Sequence, residues 1–395
     1  MKTIVIAGAV RTAQGKLGGA LKNFTNASLG AIALRGLLER TKVPPSAIDE
    51  VIMGCAAQQS DAPNMARVIA LNSGIPQSTP AFTVSRNCAS GLQAIVSAVH
   101  MILAGDAGVV AAGGVEVMSS VPYVNRDLRF GKKLRDSTMI DSLWEGLRDP
   151  VSGLMMGETA EVLAEEFKIS RREQDAFAAE SHLKAVQAAR TSKFEGEIIP
   201  VPLLSRSRKE KTETFFTNDE GPDPAADIQS LGQYPAVYKE GGTVTAGNAC
   251  PISDGAAAVL VTTQEKAKEL GLEVLATVKS WAFSGCDPRR MGIGPVDATH
   301  GALRKAGLSL ADISLIEVNE AFAAQYLAVE RLLKLDRKRV NVNGGAIALG
   351  HPVGATGVRI VVSLLHEMKW RGAPLGLASL CVGGGQGGSI VLGRS

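Results

Sequence analysis

An internal repeat restricts the fold of this chain more than any single motif does. From Ala31 to Gly54 a helix-like stretch, ALRGLLERTKV, passes through a turn at Pro44 and Pro45 into the strand-like IDEVIMG. From Ala302 to Asn319 the same plan recurs as ALRKAGLSLAD and then ISLIEVN, with Ile313 standing 265 positions after Ile48. A second pair follows in the same order. Cys88-Ala-Ser-Gly91 opens an apolar helix to Ala104, and the strand Val109–Ala112 runs into Gly113 and Gly114. His351-Pro-Val-Gly354 precedes a helix from about Thr356 to Arg371, and the strand Leu377–Cys381 runs into a glycine series. Two ordered pairs at nearly one offset argue for duplication of a supersecondary unit. Strand and helix patterns alternate within both copies, so the fold class is α/β with largely buried sheets.

The segment between the copies, 121–244, is richer in charge and broken by Pro and Gly, and reads as an inserted loop domain folding over the duplicated core. The expected division is 1–120 plus 245–270 for the N-terminal half, 121–244 for the insertion and 271–395 for the C-terminal half. Ser170-Arg-Arg-Glu173 reads as a capping box that starts a helix carrying QDAFAAESHLKAVQAA. Basic clusters at Arg126 to Arg135 and at Arg206 to Lys211 read as solvated faces.

Composition narrows the function classes. A formal charge of +3 over 395 residues leaves no electrostatic footprint for nucleic acid. No apolar stretch approaches the roughly 20 residues of a bilayer span, so no membrane partner is expected. Five cysteines, at 55, 88, 250, 286 and 381, show neither metal spacing nor a secreted disulfide framework. With no secretory or transit pattern at the first residues, a reducing cytoplasm is the expected location.

Several residues have chemical potential. Cys88 stands at a helix start, where unpaired backbone N–H groups and the positive end of the dipole stabilise the nucleophilic thiolate. On placement alone it reads equally as an inert buried thiol. His351 lies in GGAIALGHPVGATG, where small residues suggest backbone pressed close to a ligand; the competing reading is a turn histidine in water. The remaining histidines, 100, 182, 300 and 366, fall in helix-like stretches. Cys381 ends a strand and leads into VGGGQGG, which lacks the Lys-Ser/Thr ending of a phosphate-binding loop. Asn319-Glu-Ala-Phe-Ala323 closes the strand of the second copy, where an amide can face a ligand crevice or simply form a turn. No His-Glu-x-x-His or paired Cys-x-x-Cys pattern points to a metal.

Taken together, NCASG at Cys88, NEAFA at Asn319, GHPVGATG at His351 and CVGGGQG at Cys381 resemble the catalytic blocks of the thiolase family. RTAQGKLGG, MGETAE, SRREQDAFA and TAGNACPISDGAAA extend the resemblance over essentially the whole chain. It implies a duplicated βαβ core in a layered αβαβα arrangement with an inserted loop domain. It also implies an acyltransferase working on acyl-CoA and CoA, with CoA as a substrate and no separate cofactor or metal. The reaction implied is reversible condensation of two acyl-CoA, of the short-chain acetyl-CoA acetyltransferase type; the alternatives are a broad-chain degradative 3-ketoacyl-CoA thiolase and a non-catalytic acyl-CoA-binding protein that has kept the fold. A homodimer or homotetramer is expected on the same ground.

By the same resemblance Cys88 is the nucleophile that becomes acylated, His351 its base, and Cys381 the acid–base group at the α-carbon. One oxyanion site falls to His351 with a water held by Asn319, the other to the backbone N–H groups of Cys88 and Gly383. Met156, Met291 and Phe322 match positions lining the acyl or pantetheine pocket, and Ala246 and Gly247 the loop beside pantetheine. The chain departs from the biosynthetic members at three places. They often read His-Met-Gly where this one has Met155-Met156-Gly157, and Asn-Ala-Ser-Gly where it has Asn248-Ala249-Cys250-Pro251. An arginine common before the adenine-binding segment is not evident in DEGPDPAADIQSL.

Overall fold

A computed structural model describes residues 2–203 and 214–394; the basic cluster at Arg206 to Lys211 lies outside the described residues. The principal strands are β1 (Ile4–Thr12), β2 (Glu50–Gly54), β3 (Ala81–Val84), β4 (Val109–Val117), β5 (Ser253–Thr263), β6 (Ala276–Gly285), β7 (Leu315–Val318), β8 (Leu375–Val382) and β9 (Gln386–Gly393). The principal helices are α1 (Asn26–Thr41), α2 (Met65–Asn72), α3 (Ser90–Ala104), α4 (Met156–Glu166), α5 (Arg171–Arg190), α6 (Gly294–Ala306), α7 (Ala323–Leu333) and α8 (Val353–Arg371).

The repeat seen in the sequence is a repeat in space. Strand order is β7-β8-β9-β6-β1-β5-β4-β2-β3. Outward from the β1/β6 seam, each side runs first strand, last strand, then the parallel pair in between. Val340 makes an isolated parallel bridge to Ile316 at the place β3 holds on the other side. The seam itself is narrow, with antiparallel partners only at Val5–Thr277 and Ile6–Ala276. The local detail repeats as well. Single 3-10 turns at Pro45–Ala47 and Leu310–Asp312 follow helices that both end in a left-handed residue, Lys42 and Gly307.

Five layers result. Helices α1 and α2 cover the outer face of one sheet half, and α6 packs on β6, β8 and β9 outside the other. Helices α3 and α8 lie against each other in the middle, touching strands of both halves. The central core joins Leu92, Ile95 and Val99 of α3 to Val358, Val361 and Leu365 of α8, with Ile6, Ile52, Leu380 and Ile390 from the sheets. Each such side chain contributes about 1.5–3 kcal/mol when fully buried. Glycine permits the close approach of the two helices: a Cβ on Gly91 would stand 2.8 Å from Val358 N, and one on Gly357 2.5 Å from Leu92 N.

Contrary to the expectation from the sequence, one stretch, Asn87–Ala104, has the length and hydropathy of a membrane span. It is α3 with its leading turn, apolar on most of its circumference because sheet lies on two sides and α8 beside it. Within the inserted segment, α4 and α5 pack on α7, and α4 also packs on the 3-10 turn Pro288–Ile293. The capping box forms as read: the Ser170 hydroxyl accepts from Glu173 N, and the Glu173 carboxylate accepts from Ser170 N at 2.8 Å. The Arg126–Arg135 cluster is solvated, with Arg126 bidentate to Glu145 and Lys132 on Asp127.

Candidate active site

Cys88 sits at the tip of a tight turn between β3 and α3. Asn87 has φ 43°, a left-handed conformation that asparagine tolerates better than most residues. Ala89 N donates to Arg86 O and Ser90 N to Asn87 O, closing the turn. Asn87 Nδ2 donates to Gly383 O at 2.8 Å, which ties this turn to the glycine run after Cys381. That run is the hairpin between β8 and β9, with Val382 paired to Gln386 and Gly384 and Gly385 at φ 90° and 77°. The glycine series thus brings backbone against the nucleophile turn, and the N–H groups of Gly383 and of Cys88 itself are directed at the Cys88 sulfur.

The thiol is half-buried, and burial raises its pKa; the two N–H groups oppose the shift without overcoming it. Helix-start placement was expected to favour the thiolate. The structure corrects that, because Cys88 precedes the first helical residue by two positions and desolvation outweighs the helix end. Cys381 is fully buried on β8, and burial, followed by the neighbouring Cys88 and Cys250, raises its thiol well above the ordinary value. Both thiols are therefore neutral near pH 7, so nucleophilic chemistry here needs a base.

His351 stands two positions before α8, the place that Cys88 holds before α3. The two helix starts adjoin, since a Cβ on Gly91 would lie 3.1 Å from Gly354 O. The loop is held by Gly350 at φ 106° and by His351 N donating to Ser253 Oγ. Nδ1 of His351 lies 2.6 Å from Thr356 Oγ1, and Thr356 donates its own hydroxyl hydrogen to Pro352 O at 3.0 Å. The hydroxyl oxygen must then accept from Nδ1–H, which leaves Nε2 with its lone pair free. Burial, aided by the Arg359 cation, pushes the imidazole pKa down to about 3, so the ring is neutral at physiological pH.

Asn319 follows β7, with its N–H on Ser379 O at 2.9 Å. Its side chain is buried, and among the described residues neither Oδ1 nor Nδ2 has a hydrogen-bond partner. An orphaned buried amide costs about 1–3 kcal/mol, which marks it as a group kept for a ligand. Met156 opens α4 and presses on the glycine hairpin, its Sδ 3.1 Å from where a Gly383 Cβ would be. Met156, Phe322 and His351 line one cavity of about 80 Å³. Met291, in the turn Pro288–Ile293, packs with Cys381, Phe322 and Met156 in one buried cluster. The structure does not bring Ala246 and Gly247 to the cavity wall: Ala246 is exposed and Gly247 is packed under Leu231 and Tyr234. Their turn is nevertheless stapled to the site, since Cys250 N donates to Ala321 O and Ala249 bridges Phe322.

Sequence reasoning passed over Glu116. This buried carboxylate accepts from Ala56 N, Ala57 N and Gly354 N, and so anchors the start of α8 that carries His351. It sits between Val115 and Val117 in a strand, and its partners are far away in the chain, so no local pattern announces it. Trp144, Leu147, Met155 and Cys250 also line the cavity. A larger crevice of about 710 Å³ lies at the other end of α8, beside His366 and Trp370, and none of the predicted site residues lines it. Its lysines are matched by acids, Lys193 by Glu367 and Lys369 by Glu273. Among the described residues no cluster of three His, Cys, Asp or Glu is placed to hold a metal.

Residues 4–265 match the thiolase N-terminal domain and residues 272–394 the thiolase C-terminal domain. The chain belongs to the thiolase family. This thiolase is 48% identical to an acetyl-CoA acetyltransferase of Pseudomonas aeruginosa over the whole of both chains. It is 46% identical to a probable acetyl-CoA acyltransferase of Staphylococcus epidermidis, covering 100% of this chain and 99% of that one. Among solved structures it is similar to the Bacillus anthracis acetyl-CoA acetyltransferase, with TM-score 0.97, 45% identity, and 100% and 99% of the two chains covered. Human mitochondrial 3-ketoacyl-CoA thiolase matches at TM-score 0.96 and 44% identity over 100% and 99%. The thiolase is an acyltransferase that joins or separates acyl groups carried on coenzyme A.

Proposed function

We propose that this thiolase interconverts two acetyl-CoA with acetoacetyl-CoA and CoA through an acyl group held on Cys88. The observation that carries this reading is a neutral imidazole with a free Nε2, set at the start of α8 beside the turn that holds a neutral thiol. His351 takes the Cys88 proton as the sulfur attacks the thioester carbonyl, and the Cys381 thiol gives its own proton to the departing CoA sulfur, becoming a thiolate. The Cys381 thiolate then removes a proton from the α-carbon of the second acetyl-CoA. The resulting carbanion attacks the acyl carbon, the new C–C bond forms, and the Cys88 sulfur leaves and takes back its proton from His351.

In the cleavage direction Cys381 supplies that proton to the departing enolate. The negative oxygens of these steps fall to the N–H groups of Cys88 and Gly383 and to His351 with Asn319. Met156, Met291 and Phe322 bound the acyl-pantetheine side, and Ala246 and Gly247 the approach of the carrier arm. The relatives' names support acetyl as the acyl group. The chemistry calls for no redox cofactor or metal. A homodimer or homotetramer in a reducing cytoplasm, and a place in fatty acid metabolism, complete the proposal.

Thiolysis of acetoacetyl-CoA by free CoA tests it, together with mass analysis of the acyl-enzyme. Cys88→Ser should lose acylation and at least roughly 10³-fold in turnover. Cys381→Ser should still be acylated by acetyl-CoA while C–C bond formation and cleavage collapse. Equal loss of acylation in both variants would contradict the division of labour. A broad-chain 3-ketoacyl-CoA thiolase is the second reading, favoured by one observation, the apolar wall of the cavity.

A further inference from the structure

Helix α8 carries two different faces. Val358, Val361 and Leu365 join the core shared with α3, whereas Thr356, Arg359, Ser363 and Glu367 recur at helical spacing as a polar stripe on a helix buried over most of its length. Three of these four have partners: Thr356 with His351 and Pro352, Ser363 with Glu197 at 3.4 Å, and Glu367 with Asn343 at 2.8 Å. Arg359 is the exception. It is 2% exposed, and Nε, Nη1 and Nη2 all lack a partner among the described residues. A guanidinium keeps its charge and carries five N–H donors, so leaving it unmet in an interior is severely costly. Glu317, Glu197 and Glu320 act on it through space, opposed by Arg11. Glu197 is taken by Arg11 at 2.7 Å, and Glu320 by Ser181, Asn341 and the N–H of Ile347. That leaves Glu317 of β7, where burial pushes the carboxyl up and Arg359 is the leading charge that pulls it down.

We propose that Arg359 and Glu317, joined through enclosed water, are positioning residues that hold His351 and Asn319 at their working separation. The inference rests on the thiolase reading and adds two residues to the support of the same site. The two charges stand on elements that pack on each other, α8 and β7, yet they make no direct ion pair. A gap between a guanidinium and a carboxylate in a close-packed interior is where ordered water sits, typically with about three hydrogen bonds to groups otherwise unmet. An anion is disfavoured there, because Glu317, Glu197 and Glu320 already supply negative charge. Placement gives the pair its use. Glu317 lies two residues before Asn319 on the strand that delivers that amide. Arg359 lies one turn after Thr356, which holds Nδ1 of His351, and its cation bears on the imidazole itself. Apolar packing of α8 on α3 resists separation but has no direction along the helix axis. A hydrogen-bonded charge pair has direction, and so fixes the register of α8 against β7.

A high-resolution crystal structure of the wild-type chain should show ordered water within hydrogen-bond reach of both Arg359 and Glu317. Thiolysis of acetoacetyl-CoA is then compared for Arg359→Met, Glu317→Gln and the double variant. Turnover is counted per Cys88 acylated by acetyl-CoA at completion, so that misfolded chain drops out. Each single variant should lose about 100-fold in kcat, the usual cost of a misplacement on the order of 1 Å, with the KM for CoA unchanged. The double variant should regain at least roughly 10-fold over the weaker single, because it no longer leaves one buried charge alone. Glu317→Gln is nearly isosteric, so it reports even if Arg359→Met folds poorly. A direct Arg359–Glu317 contact, or a chloride in the gap, overturns the proposal. So does unchanged turnover per acylated Cys88 beside a lowered melting temperature, which would assign the pair to the fold and not to the site. Losses that simply multiply in the double variant overturn it as well. A wild type that neither acylates Cys88 nor cleaves acetoacetyl-CoA instead removes the thiolase reading itself.

Discussion

Asn319 is a residue whose structural cost and chemical use point in opposite directions. Its buried amide lacks a partner among the described residues, so Asn319→Ala removes a desolvation penalty as well as a donor. We expect thermal stability to hold or rise in that variant while kcat falls about 100–1000-fold, the usual loss for one oxyanion donor. Differential scanning calorimetry beside steady-state thiolysis checks both halves of the statement. His351 shows the same tension through its proton. The folded ring titrates at about 3 against an ordinary 6.5, so between those values the unfolded chain binds the extra proton. Its contribution to stability is complete above pH 6.5 and is lost as pH falls from 6.5 towards 3. Urea titrations at pH 7 and pH 4 should show less pH dependence for His351→Asn than for the wild type. No acid limb near pH 6.5 from this histidine should appear in kcat/KM.

At the scale of elements, the central pair α3 and α8 controls the geometry, because the turn bearing Cys88 and the loop bearing His351 lead into their adjoining ends. Gly357→Ala would raise helix propensity by about 1 kcal/mol. Against that, the new methyl would meet the Leu92 backbone nitrogen at 2.5 Å, and overpacking of this kind costs about 1–3 kcal/mol. The second effect wins because backbone cannot swing aside, so the urea midpoint should drop and turnover with it. These elements were legible in the sequence where the signal was local. The repeat at Ile48 and Ile313 marks the two 3-10 turns that lead into β2 and β7, and Ser170 with Glu173 marks the start of α5. What escaped was non-local: Glu116 draws its three N–H donors from Ala56, Ala57 and Gly354 of α8, and the lining of the cavity comes from segments scattered between Met118 and Val353. A period-2 strand pattern records which face is buried and says nothing of which distant backbone a buried carboxylate meets. The thiol pKa of Cys88 was misjudged for a related reason, since burial is a property of the assembled layers and not of the helix start.

At the scale of the whole molecule, the two halves of the sheet meet along one strand pair, β1 with β6, through only two residue pairs, yet share a core through α3 and α8. Neither half can therefore close its own interior. Expressed separately, fragments 1–270 and 271–395 should lack near-UV circular dichroism and thiolase activity, and co-expression should restore both in part. Independent folding of either fragment would show that the central layer is dispensable to it. The equivalent addresses of Cys88 and His351, each two positions ahead of its central helix, carry a consequence for descent. Two identical copies related by a two-fold axis would set thiol against thiol or imidazole against imidazole. A nucleophile facing its own base is open only to copies whose sequences can differ, which two repeats in one chain permit and two identical subunits do not.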